Sequence, residues 1–245
     1  MRLHRFFVAE GCIDGQNCVV KDAKLLNQWR NVFRYTTGSR VLLFDGTGAE
    51  YLALIASINP DRSELQILEK EMRATEKQGA KGDGSSGQKI YLFLSILKNN
   101  NFDLVLQKAA EIGVDVIVPI VSDRVIKKGV NMERSKRILI EASEQSGHVS
   151  VPELEEPQNL KDALENFDGK LIVCQSGATP WNKKLISGSK DVSFVIGPEG
   201  GWSPNETMLF EKLVENKKCQ MVSLGNQTLR AETAAIAVLS LALLQ

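Results

Sequence analysis

Val192-Ser193-Phe194-Val195-Ile196-Gly197-Pro198-Glu199-Gly200-Gly201-Trp202-Ser203-Pro204-Asn205-Glu206 passes from an apolar run through a glycine-rich loop straight into a helix start. The run to Ile196 is short, apolar and stopped by Gly-Pro, the pattern of a strand buried on both faces. Ser203, Pro204 and Glu206 occupy the N-cap, first and third positions of the following helix. That is a capping box, worth about 1 kcal/mol for the cap itself. Three glycines let backbone groups come close to a ligand. No Gly-Lys-Ser/Thr follows, so this is not a Walker phosphate cradle, and the Gly-x-Gly-x-x-Gly dinucleotide fingerprint is absent. Glu199 inside the loop would repel a polyphosphate, so a neutral or cationic ligand fits better. The alternative is a plain strand-to-helix turn.

Outward from this stretch, apolar runs at Lys89–Ser95, Val114–Val121, Leu171–Cys174, Val192–Ile196 and Met221–Leu224 alternate with helical patterns. The helices are expected from Asn101 to Gly113, Met132 to Gln145, Asn159 to Phe167, Pro204 to Asn216 and Leu229 to Leu244. Doubly buried strands alternating with helices predict a parallel α/β sheet, with a ligand site at the C-terminal ends of its strands. The N-terminal third differs. Arg5–Val8, Arg40–Phe44, Tyr51–Ile58 and Leu65–Leu68 read as short strands, with Asp45-Gly46-Thr47-Gly48 as a hairpin turn and one helix capped by Asp22. This predicts a small β-barrel. Between the halves, residues 74–88 hold four glycines and no large apolar residue, the composition of a flexible linker. The expected domains are therefore 1–73, a linker 74–88, and 89–245.

A second loop, Leu224-Gly225-Asn226-Gln227-Thr228-Leu229-Arg230-Ala231-Glu232-Thr233, repeats the strand–glycine–helix arrangement. The helix beyond is apolar from Ala234 to Leu244, so it should be buried all round, in the core or a subunit interface. Arg230 and Glu232 in its first turn form either an internal ion pair or a contact to an anion or substrate. Between Ile120 and Ile140 six basic residues (Arg124, Lys127, Lys128, Arg134, Lys136, Arg137) face two acidic ones. That local excess can meet a phosphate backbone, or can be solvated surface. Over the whole chain 30 Lys+Arg balance 30 Asp+Glu, so no global pull toward nucleic acid or anionic lipid exists. The longest apolar stretch falls short of the roughly 18 residues a membrane span needs. Two histidines and four scattered cysteines assemble neither a familiar zinc site nor a Ser/His/Asp or Cys/His nucleophile set. The expectation is a reducing cytoplasm, no metal and no membrane.

Gly197-Pro198-Glu199-Gly200-Gly201-Trp202-Ser203-x-x-Glu206 and Leu224-Gly225…Leu229-Arg230-Ala231-Glu232-Thr233-Ala234 resemble the signature loops of the RsmE family. These are SPOUT-class methyltransferases that act on N3 of a uridine in 16S rRNA of the small ribosomal subunit. Arg5-Phe6-Phe7, Val32-Phe33-Arg34, Phe44-Asp45-Gly46-x-Gly48, Gln107-Lys108-Ala109-x-Glu111-Ile112-Gly113-Val114, Ser122-x-Arg124 and Glu141-Ala142-x-Glu144-Gln145-Ser146-Gly147 extend the match in the right order. The resemblance implies a PUA-like RNA-binding barrel, a C-terminal domain with a trefoil knot, and a homodimer. It implies S-adenosylmethionine among three loops, at Cys174 and Gln175, at Ile196, Gly197, Pro198, Glu199, Gly200, Gly201 and Trp202, and at Leu224, Gly225, Leu229 and Arg230. Gln227, Thr228, His148 and Asn27 depart from the family's usual residues, which bears on RNA contacts more than on the cofactor loops.

On this basis Arg230 is expected to stabilise a uracil anion, with Glu232 the nearest carboxylate to take its proton. Arg124, Lys127, Lys128, Arg134 and Arg137 would position phosphates, and Arg2, Arg5 and Arg34 would dock 16S rRNA on the barrel. The competing expectations are another SPOUT activity, such as 2′-O-ribose or different-base methylation, and a non-catalytic rRNA-binding assembly factor. A nucleotide-dependent dehydrogenase lacks its glycine fingerprint.

Overall fold

The structure, a computed structural model, describes residues 3–73, 87–98, 100–126, 129–188 and 191–244. Most of the expected linker, residues 74–86, lies outside them. The chain forms two compact units, one of Met1–Gly79 with Ser143–Val151, the other of Ala80–Ala142 with Pro152–Gln245.

In the first unit β1 (Arg5–Phe7), β2 (Ile13–Asp14), β3 (Asn17–Val20), β4 (Arg40–Phe44), β5 (Ala49–Ile58) and β6 (Ser63–Met72) form one sheet in the order β1-β4-β5-β6-β3-β2. Only β1 and β4 run parallel. The β4–β5 hairpin turns at Asp45–Gly48, where Gly46 and Gly48 take φ of +85° and +89° and Asp45 accepts the Thr47 N–H at 3.0 Å. The helix α1 (Ala23–Asn27) starts where expected, because Asp22 accepts the N–H groups of Lys24 and Leu25 at 2.8 and 2.9 Å. It runs on as one π-helical turn, Gln28–Val32, and buries Leu26 and Trp29 completely among Phe6, Val41, Leu43, Ala53 and Ile55. The β2–β3 hairpin was not expected: Ile13–Asp14 is too short for a visible alternation, and β3 is specified by antiparallel pairing with β6. Antiparallel pairing with β5 extends β6 well beyond the expected Leu65–Leu68.

In the second unit β7 (Ile90–Ser95), β8 (Val116–Val121), β9 (Glu153–Leu154), β10 (Gln158–Asn159), β11 (Lys170–Pro180), β12 (Val192–Ile196) and β13 (Cys219–Ser223) form an all-parallel sheet. Its order is β10-β8-β7-β12-β11-β13, with β9 also on β8. The helices α2 (Asn100–Ile112), α3 (Met132–Ser146), α4 (Leu160–Asn166), α5 (Pro204–Glu215) and α6 (Ala231–Leu243) fall close to their expected spans. Leu160, Ala163 and Leu164 of α4 and Phe210 and Leu213 of α5 share one core with Phe93, Val118, Val173 and Val195. α2 and α6 pack on each other, and α6 on β12. Within this chain α6 is buried on one face, and the expectation allowed a subunit interface as cover for the rest. Ala231, Glu232, Ala235, Val238, Leu239 and Ala242 are buried, whereas Ile236, Ala237 and Leu241 are half-buried and Leu244 is exposed.

β11 is longer than expected for a specific reason. Its ladder to β13 reaches Cys174 opposite Val222, bulges through residues 175–178, and resumes with Thr179 opposite the same Val222. The polar Gln175-Ser176-Gly177 sequence conceals that continuation. At the other end of the strand Gly169 leaves no room for a side chain. An added Cβ would lie 2.6 Å from the Phe167 ring and 2.7 Å from the Asp191 carbonyl oxygen. Gly169→Ala is therefore expected to lower unfolding free energy by about 1–3 kcal/mol, measured by urea denaturation. An unchanged midpoint would contradict the close packing.

Candidate active site

The C-terminal ends of β11, β12 and β13 and the start of α6 enclose a cavity of roughly 630 Å³, the size of a small-molecule or cofactor site. Cys174, Gln175, Ile196, Gly197, Pro198, Glu199, Gly201, Trp202, Leu229 and Arg230 line it, so ten of the expected cofactor residues come together. Gly200, Leu224 and Gly225 do not line it. Gly200 faces the Arg124 side chain, and Gly225 accepts the Ser223 hydroxyl at 2.8 Å within the turn. Asn101, Ser176, Thr207, Thr228, Ala231, Glu232 and Ala234 complete the wall. Glu232 was singled out for chemistry. Ser176 lies within the β11 bulge, and Asn101 arrives on α2 with no local sequence signal of its place here.

The glycine-rich loop is fixed by its neighbours. Ser203 and Glu206 form the expected capping box, with the Glu206 carboxylate accepting the Ser203 N–H at 2.7 Å. Its other oxygen accepts the Asp123 N–H at 2.9 Å, and the Ser203 hydroxyl donates to the Asp123 carboxylate at 2.5 Å. Arg124 donates to the Gly200 carbonyl at 2.8 Å, and Glu199 accepts the Lys98 N–H at 2.9 Å. The loops after β7 and β8 are thereby tied to the loop after β12. Glu199 serves this tie with one carboxylate oxygen while lining the cavity. Gly197 stands against the Trp202 indole, where an added Cβ would meet the ring at 2.9 Å, and Trp202 packs edge-on against Phe210 at 4.9 Å.

Two acceptor atoms in this wall lack donors. Gln175 Oε1 and Glu232 Oε2 are buried and have no hydrogen-bond partner among the described residues. Arg230 and Glu232 form a long, largely open ion pair. Arg230 Nη1 lies 4.0 Å from Glu232 Oε1, and the Arg230 side chain is 85% exposed while that of Glu232 is 11% exposed. The difference arises because Arg230 is the extended N-cap of α6, its carbonyl accepting the Ala234 N–H while the side chain points outward. Burial pushes the Cys174 thiol up to about 12, so it stays protonated at neutral pH and is no thiolate nucleophile.

The basic residues expected to contact RNA meet different fates. Lys127 and Lys128, like Arg2, lie outside the described residues. Arg134 pairs with Asp103 at 2.7 Å and Arg137 with Glu133 at 2.7 Å, and Arg124 serves the glycine loop. In the first unit Arg5 is held at 2.5 Å by the buried Glu50, which Arg73 also approaches at 3.4 Å, so its charge is committed inside the fold. Arg34 is exposed. Among the described residues no group of three or more His, Cys, Asp or Glu could hold a metal ion, and no helix is long and apolar enough to cross a membrane.

Glu206→Ala leaves two N–H groups without their acceptor. It is expected to cost about 2–3 kcal/mol of stability and to loosen the glycine loop, read by denaturation and by hydrogen exchange at Asp123 and Ser203. Unchanged protection at both amides would contradict the tie.

Comparison with known proteins completes the picture. A family model of the RNA methyltransferase domain matches residues 85–243, and one of the RNA methyltransferase PUA domain matches residues 30–68. Ribosomal RNA small subunit methyltransferase E of Mesomycoplasma hyopneumoniae is 33% identical over 189 residues, covering 74% of this chain and 77% of that one. Ribosomal RNA small subunit methyltransferase E of Neisseria gonorrhoeae, solved bound to S-adenosylmethionine, superposes with a TM-score of 0.81 at 28% identity, covering 98% of this chain and 96% of the other. A methyltransferase of Legionella pneumophila solved with the same cofactor gives 0.83 at 28% identity, covering 98% and 97%. The two-unit fold, the loops around the cavity and these matches together make the chain a member of the ribosomal RNA small subunit methyltransferase E family, the RsmE family.

Proposed function

We propose that this chain uses S-adenosylmethionine to methylate N3 of a uridine in 16S rRNA. The observation that carries the chemistry is that Glu232, whose buried Oε2 has no hydrogen-bond donor among the described residues, lines the same cavity as the exposed Arg230.

The cavity's residues fit the cofactor. Ile196, Pro198, Trp202 and Leu229 offer apolar surface, and Gln175 offers a buried acceptor for an N–H or O–H donor. Backbone groups of the loops around Gly197 and Leu229 would hold the rest. When bound, the cofactor supplies a sulfonium-borne methyl group and a neutral thioether leaving group. Uracil N3 carries a proton that must leave before the nitrogen can act as a nucleophile. Glu232 takes that proton, and Arg230, reaching out from the rim, stabilises the negative charge on the uracil ring. A carboxylate with an unused buried lone pair is suited to this, since no donor among the described residues competes for it. The tied loops hold the glycine-rich wall of the cavity in place, so that positioning of the cofactor supplies much of the rate.

The same reading makes the small ribosomal subunit the partner, cytoplasm the location, and α6 with its half-buried Ile236, Ala237 and Leu241 the interface of a homodimer. It retains the knotted path suggested by the family resemblance.

With purified protein, labelled S-adenosylmethionine and 16S rRNA, Glu232→Gln is expected to lower kcat on the order of 10²–10⁴-fold, with cofactor affinity by calorimetry within about twofold of wild type. Arg230→Ala should lose turnover with cofactor binding intact. Full turnover in either variant removes that residue from the chemistry.

A further inference from the structure

The first unit carries a row of three rings that the chemistry above does not use. His4 and Phe33 have centroids 4.4 Å apart, and Phe33 and Tyr35 are stacked at 5.4 Å with planes within 11°. The row stands on Phe6, a buried core residue that meets both Phe33 and Tyr35 edge-on at 5.4 and 6.3 Å. His4 is exposed, and Phe33 and Tyr35 are half-buried. The residue between Phe33 and Tyr35 in sequence is Arg34, with φ +55°. Phe33 N–H donates to the Gln28 carbonyl and Tyr35 N–H to the Trp29 carbonyl, so the backbone closes the end of the helix around a left-handed residue. Glycine is the usual occupant of such a position. An arginine there holds a strained backbone whose side chain is exposed.

Charge accompanies the rings. Residues 21–40 hold Lys21, Lys24, Arg30, Arg34 and Arg40 against the single acid Asp22, and all five cations are exposed. Arg5, by contrast, is sequestered by Glu50. We infer that the His4–Phe33–Tyr35 row, flanked by Arg30 and Arg34, is a stacking platform for an unpaired base of the RNA substrate. Aromatic faces accept any splayed-out base, and guanidinium groups hold the phosphates on either side. This inference rests on the RNA-methylating function proposed above and names the surface that engages the RNA outside the catalytic cavity.

The test uses full-length protein and two fluorescein-labelled single-stranded RNA probes of equal length, one of mixed sequence and one abasic at its central positions. Wild type should bind the base-bearing probe more tightly. Phe33→Leu with Tyr35→Leu should lose roughly tenfold or more in affinity for it and bind both probes alike. Tyr35→Phe, which keeps the ring, should retain wild-type affinity. Arg34→Gly relieves the left-handed backbone, so it should weaken RNA binding without lowering thermal stability. Calorimetric affinity for S-adenosylmethionine should be unchanged in all variants. Equal wild-type affinity for the two probes would overturn the platform even if rRNA is methylated, and so would an undiminished affinity in the double leucine variant, which would leave the row to a protein partner. Failure of wild type to methylate rRNA, with the base preference intact, would instead remove the proposed reaction.

Discussion

The carboxylate of Glu206 is 6% exposed and accepts two backbone N–H groups, one from its own helix start and one from Asp123. Around that buried acceptor the loops after β8 and β12 take fixed positions, and Arg124 and Glu199 add ties to Gly200 and Lys98. Each tie satisfies a backbone group that would otherwise be costly to leave unpaired. The result is a glycine-rich loop that is close enough to a ligand to use its backbone, yet held by the carboxylates of Glu206, Asp123 and Glu199. Catalysis by positioning depends on this rigidity, because methyl transfer needs its two reactants in line.

Polar groups in this unit therefore divide into those that are spent and those that are kept. Glu199, Glu206, Asp123 and Arg124 are spent on loop geometry. Gln175 Oε1 and Glu232 Oε2 are kept without partners among the described residues, at a desolvation cost that a bound ligand can offset. In the first unit Arg5 is spent on Glu50, while Arg34 stays exposed at the price of a left-handed backbone. Which cations and acceptors remain available thus separates binding surface from scaffold.

Legibility in the sequence followed locality. The strand Val192–Ile196, the helix start at Ser203 and the cap at Asp22 were readable because their determinants lie within four residues of each other. The β4–β5 hairpin was readable for the same reason, through Asp45-Gly46-Thr47-Gly48. Three features were hidden by long-range pairing. The β2–β3 hairpin depends on β6, the continuation of β11 past its bulge depends on Val222, and the commitment of Arg5 depends on Glu50, 45 residues away. The site was legible to the extent that glycine loops follow buried strands. Asn101 entered the cavity from α2, and the second role of Glu199 required Lys98, neither of which any spacing rule reveals. The half-buried face of α6 was legible only as a need for cover, because an all-apolar helix says how much surface must be covered and not which chain provides it.

The central claim is a single modified atom in one RNA. Mass-spectrometric nucleoside mapping of 16S rRNA, from cells with and without this gene, tests it most directly. The account predicts that one 3-methyluridine is lost with the gene and is restored when the purified protein and S-adenosylmethionine are added. An unchanged 16S rRNA, or restoration of a methyl group at a ribose or another base atom, would contradict it.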